Sequence, residues 1–111
     1  MNDKQLIHFF NNTMIRLGYY DWKLKFTNDS FCSKRRKLIT ISQKVKNKKQ
    51  MILHEEAHID TGRFCNQKHS YKFWKHFDDL RRRFLPNEAI DLVQLSHKKF
   101  ATQGRYSLVY K

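Results

Sequence analysis

Residues 54–58 read His-Glu-Glu-Ala-His, two imidazoles four positions apart with a carboxylate directly after the first. On a helix, His54 and His58 lie one above the other on one face, and both can reach a single Zn²⁺. Glu55 then falls beside the metal rather than on it, placed to take a proton from a water that the metal has acidified. The set points to attack by that water on a polarised peptide carbonyl, with Glu55 as general base and then as proton donor to the leaving amine. A five-residue pattern recurs by chance, so its weight depends on a helix beneath it and on a third ligand nearby.

A catalytic zinc takes three protein ligands and keeps one position open. Downstream of the motif the candidates are Asp60, His69, His76 and Asp78. Asp60 stands two residues past His58, on another face of the same helix, while His76 and Asp78 fall within a later apolar-striped helix. His69 follows His58 after ten residues, at the entrance to that later helix, where a loop can turn back and present an imidazole. It is the expected third ligand, with an ordinary surface histidine as the alternative reading. No residue is marked by sequence as an oxyanion stabiliser; Tyr71 and Tyr106 are possible donors.

The elements that must position these groups can be read from spacing. Asn2 with Gln5 three residues on makes a capping-box opening, and Leu6, Ile7, Phe10, Met14 and Leu17 recur at helical spacing up to Gly18. Trp22, Leu24 and Phe26 alternate with lysines, and Leu38-Ile39-Thr40-Ile41-Ser42 follows after a loop through Asn28-Asp29-Ser30, which predicts a small antiparallel sheet. Asn47 caps the motif helix, with Met51, Ile52, Leu53, Ala57 and Ile59 as its apolar surface and Gly62 as its exit. Phe73, Trp74, Phe77, Leu80 and Phe84 form the next stripe, ending at Pro86, and a further helix is expected from Asn87 through Ile90, Val93 and Leu95.

A chain of 111 residues, 40% hydrophobic and 14% aromatic, holds one domain over 1–111 and has bulk enough for a core without covalent staples. Cys32 and Cys65 are too few and too far apart for a disulfide framework or a four-cysteine zinc site, which fits a reducing compartment. The N-terminus lacks a secretory pattern and no stretch is long enough to span a bilayer, so the expectation is an intracellular protein, cytoplasmic or at the nucleoid or nucleus, without membrane contact.

Charge narrows the partners. The chain carries 23 Lys and Arg against 10 Asp and Glu, a formal +13, and such a surface attracts polyanions. Three runs stand out as candidate nucleic-acid contacts: Lys34, Arg35, Arg36 and Lys37; Lys48 and Lys49 beside Lys44 and Lys46; and Arg81, Arg82 and Arg83. A merely solvated face is the alternative for any one of them.

His54-Glu55-xx-His58, then ten residues, His69 and Phe73-Trp74, resembles the SprT/Spartan-like and related WLM/YgjP-type zinc metallopeptidases. The opening helix, the Trp22-containing strand and the Leu38–Ser42 strand leading into the motif helix are similar to that family's order, so the likeness covers most of the chain. It implies a minimal zincin-like α+β domain, one catalytic Zn²⁺ held by His54, His58 and His69, Glu55 as base, and an extended protein substrate added as a strand to the sheet edge beside the cleft. It also implies substrates bound on or crosslinked to DNA. The basic surface fits that role on its own terms, since nucleic acid would hold protein substrates at high local concentration. One departure is that many members continue into a cysteine-rich zinc ribbon, for which this chain has no cysteines. Two alternatives stay open: a basic nucleic-acid-binding module whose metal site is structural or inactive, and a peptidase independent of DNA.

Overall fold

A computed structural model describes residues 2–61 and 71–89. The first element, α1 (Asp3–Leu17), begins with the reciprocal cap expected of Asn2 and Gln5. The Asn2 side chain accepts from the Gln5 N–H at 2.8 Å, and the Gln5 side chain accepts from the Asn2 N–H at 2.9 Å. Two of the helix's orphan donors are thereby satisfied. At the other end Gly18 adopts φ 86, a left-handed conformation that a Cβ would strain, and the Tyr19 N–H closes the last turn on the Met14 carbonyl at 2.9 Å. Leu6, Phe10, Thr13 and Met14 are the buried stripe. One of the four is polar, and the site below explains it.

Three strands follow: β1 (Lys23–Thr27), β2 (Phe31–Ser33) and β3 (Leu38–Ser42), in the spatial order β1-β3-β2. The sheet is mixed, not antiparallel as the alternating pattern suggested. β1 runs parallel to β3, with Lys23 opposite Leu38 and Thr27 opposite Ser42, while β2 runs antiparallel to β3, with Cys32 opposite Ile39. The reason is the short strand that the loop signal concealed. The chain reverses once into β2 and again through residues 34–37, and two reversals bring β3 back to the direction of β1. β3 is central, and all five of its residues are buried.

Two further helices among the described residues, α2 (Lys48–Thr61) and α3 (Tyr71–Phe84), make the fold α+β. Asn47 caps α2 as expected, its side chain accepting from the Gln50 N–H at 3.1 Å. Asn47→Ala should therefore destabilise the fold by about 1 kcal/mol and lower the melting temperature by several degrees. A thermal melt with no shift would show that the helix start is held elsewhere.

α2 is not an amphipathic surface helix. It packs against α1, β2, β3 and α3, and every residue from Gln50 to His58 is buried. A helix buried all round is ordinarily apolar all round. Five of these nine residues are instead Gln50, His54, Glu55, Glu56 and His58. Burying such groups costs several kcal/mol unless they are partnered, so the centre of this fold carries an expense that packing alone does not require.

α3 presents Phe73, Trp74, Phe77 and Leu80 inward, and Leu85 continues the buried set just past the helix end. The expected helix from Asn87 onward lies almost wholly outside the described residues, as do the Gly62 exit and His69.

Candidate metal centre

His54 and His58 stand one turn apart on α2 with ring centroids 5.0 Å apart and nearly perpendicular. Their nitrogens and a Glu55 carboxylate oxygen all lie within 4.8 Å of one another, the only such group of His, Cys, Asp and Glu among the described residues. All three residues are buried. His54 Nδ1 is 3.1 Å from Glu55 Oε2. When Nδ1 carries the proton of that contact, Nε2 keeps the lone pair a metal needs. The second carboxylate oxygen, Glu55 Oε1, is buried with no hydrogen-bond partner among the described residues.

The aromatic stripe of α3 builds the wall of this site. Phe73 stacks on His58 with ring centroids 4.4 Å apart, and His54 meets Phe73 edge-on at 5.1 Å and Phe77 at 6.3 Å. These contacts restrict both imidazoles to few orientations. Burial holds the His58 pKa down to about 3, with the charges of His54 and Lys34 adding to the effect. His58 is thus neutral at any ordinary pH, the state in which an imidazole ligates metal.

This donor set fits zinc: two neutral-capable imidazoles at i and i+4, a carboxylate beside them with one orphaned buried oxygen, and hydrophobic walls. His69 lies outside the described residues. The other third-ligand candidates have partners of their own. His76 Nε2 is 3.1 Å from Asp60 Oδ2, and the other Asp60 oxygen accepts from the Tyr19 hydroxyl. Asp78 holds Arg81 at 2.8 Å and Arg82 at 2.9 Å. Tyr71 is 63% exposed at the start of α3, and Tyr106 lies outside the described residues.

One residue of the motif carries more than its spacing indicates. Glu56 is fully buried on the α1 side of α2, where the Thr13 hydroxyl lies 2.7 Å from Oε2. Burial raises its pKa to about 8, against the opposing effect of the Thr13 bond. The available signal was Thr13 itself, a polar residue on the apolar stripe of α1, three positions after Phe10.

Arg81 and Arg82 pair with Asp78, and Arg81 also donates to the Glu88 carbonyl. Arg83 lies over the Phe84 ring at 4.9 Å and reaches the Arg16 carbonyl at 3.4 Å. Lys49 pairs with Glu88 at 3.0 Å, and Lys48 caps the Val45 carbonyl at 2.9 Å. Lys34, Arg35, Arg36 and Lys37 form an exposed turn between β2 and β3.

No family model, curated protein or solved structure matches the chain. No helix among the described residues is long and apolar enough to cross a membrane.

Proposed function

We propose that this chain is a zinc-dependent endopeptidase of the SprT-like kind, acting on proteins associated with or crosslinked to DNA. The observation that carries the reading is the buried His54-Glu55-His58 group at the centre of the fold. A domain this small has little reason to bury three ionisable side chains in mutual contact unless they hold something. His54 and His58 would hold the ion, with His69 as third ligand. In favour of His69 is that Asp60, His76 and Asp78 are each already engaged by another side chain, Asp60 with His76, and Asp78 with Arg81 and Arg82.

Zinc, when bound, supplies a Lewis acid and a water acidified toward neutrality. Glu55 supplies the proton traffic: its carboxylate takes the water's proton as the scissile carbonyl is attacked and returns it to the departing amine. Phe73 and Phe77 keep the imidazoles in register and exclude bulk water from that exchange. The open edge of the sheet offers main-chain hydrogen bonds to an extended substrate.

DNA association is supported by the +13 charge of the chain. A peptidase indifferent to DNA is the second reading, favoured by the engagement of Arg81, Arg82, Lys48 and Lys49 within the chain. The test is zinc content together with cleavage of a loosely folded DNA-binding protein, with and without duplex DNA. One zinc per chain is expected, with cleavage abolished by chelator, restored by zinc and stimulated by DNA. An equal rate without DNA selects the second reading. A protein that binds zinc and cleaves nothing is a structural metal module instead.

A further inference from the structure

Residues 30–54 contain eight Lys and Arg and no Asp or Glu. Four of the eight are the exposed turn from Lys34 to Lys37. The turn has a defined shape. The Arg36 N–H donates to Ser33 Oγ and the Lys37 N–H to the Lys34 carbonyl, each at 3.3 Å, and Lys37 takes a left-handed φ of 49. The Lys23 N–H donates to the Lys37 carbonyl at 3.0 Å, which brings a fifth exposed cation to the same end of the sheet. Like charges crowded this way repel one another, and an anionic partner relieves the repulsion.

The position of the turn says which partner. Among the described residues β2 is an edge strand, with β3 as its one neighbour in the sheet, and it packs against α2, the helix that carries the metal-ligand candidates. Its last residue, Ser33, leads directly into the turn.

We propose that the Lys34–Lys37 turn is a specificity element of this site, selecting peptide segments that carry Asp or Glu within a few residues of the bond to be cleaved. The proposal rests on the peptidase reading. A peptide added to the edge of β2, unpaired among the described residues, advances about 3.3 Å per residue, so a carboxylate a few residues from the scissile bond comes alongside Lys34 to Lys37. Main-chain pairing supplies affinity without sequence preference, and the cations supply the preference.

The test uses three fluorogenic peptides of one common sequence whose flanking residues are Glu, Gln or Lys. They are cleaved by the zinc-loaded wild-type chain and by an Arg35→Glu/Arg36→Glu variant shown to melt normally. Binding of the same peptides to the zinc-loaded Glu55→Gln chain is followed by fluorescence anisotropy. The Glu peptide should exceed the Gln peptide in kcat/KM by about tenfold, roughly 1.4 kcal/mol, mainly through KM. The Lys peptide should be poorest, and the ratio should collapse in the variant and shrink at high salt. Equal cleavage of all three peptides overturns the specificity element and leaves the peptidase reading standing. Cleavage of none, with tight turn-dependent binding of the Glu peptide, keeps anionic-peptide recognition and removes the peptidase reading. A duplex oligonucleotide bound by wild type and lost in the variant, with peptides bound indifferently, makes the turn a nucleic-acid contact and refutes the proposal.

Discussion

Glu55→Gln should lower the rate of peptide cleavage by about 10²- to 10⁴-fold, the range general acid–base groups contribute, while zinc content stays at one ion per chain. Glutamine has the shape of the carboxylate and can retain the contact to His54 Nδ1, but it cannot take a proton. The fold should keep its melting temperature, because glutamine conserves the side chain's shape and the acceptor that meets His54 Nδ1. His58→Ala differs in kind. It removes a ligand, so zinc content and cleavage should fall together, and added zinc should restore neither fully. Parallel measurement of metal stoichiometry, turnover and melting temperature separates the two. A Glu55→Gln chain that still cleaves at the wild-type rate would remove Glu55 from the chemistry.

The motif helix, its Asn47 cap, the capped α1 and the stripe of α3 were legible because each is specified by residues close together in sequence. Caps and stripes are local, and local signals survive without knowledge of the fold. The sheet was not legible in the same way. Phe31-Cys32-Ser33 is too short to show alternation, yet it occupies the edge beside α2 and turns an expected antiparallel pair into a parallel one. Strand order is set by which strand the packing places at the centre, and no short pattern carries that. The burial of α2 on every side was hidden for a related reason. Its apolar positions alone read as one face, and only contact with α1, β2, β3 and α3 shows that the polar positions are enclosed too.

The same limit applies to charge. Arg81-Arg82-Arg83 reads as a phosphate-binding run, but Asp78 stands three and four residues before its first two members, a spacing at which helical side chains pair. Asp78 is itself buried on the apolar side of α3, so the arginines neutralise a carboxylate the core has enclosed. The Lys34–Lys37 turn has no acid at such a spacing on either side, and this distinction could have been drawn from sequence.

Glu56→Gln should stabilise the metal-free protein above pH 8 by a few kcal/mol, on the order of 1.4 kcal/mol for each unit of pKa displacement. The folded-state pKa of Glu56 is raised from 4.5 to about 8. Below the unfolded value both states hold the proton and the contribution to stability is fully present. Between 4.5 and about 8 the unfolded chain releases a proton that the folded chain keeps, so stability falls as pH rises, and above 8 the loss is complete. His58 acts in the opposite sense: its pKa is lowered from 6.5 to about 3, so its contribution grows as pH rises across that interval. The two oppose each other from about 4.5 to 6.5, and from 6.5 to 8 the Glu56 loss stands alone. The geometry explains why glutamine can replace the acid. Thr13 Oγ lies 3.0 Å from the Phe10 carbonyl and 2.7 Å from Glu56 Oε2, and its one hydroxyl proton cannot serve both acceptors. A protonated Glu56 can donate to Thr13 while Thr13 donates to Phe10, and the glutamine amide can donate in the same place. Urea melts in the presence of chelator, from pH 4 to 9, should therefore show wild type losing stability above pH 6.5 while the variant does not. Parallel curves for the two proteins across that window would mean that Glu56 is ionised in the folded state and that its buried environment is more polar than its contacts indicate.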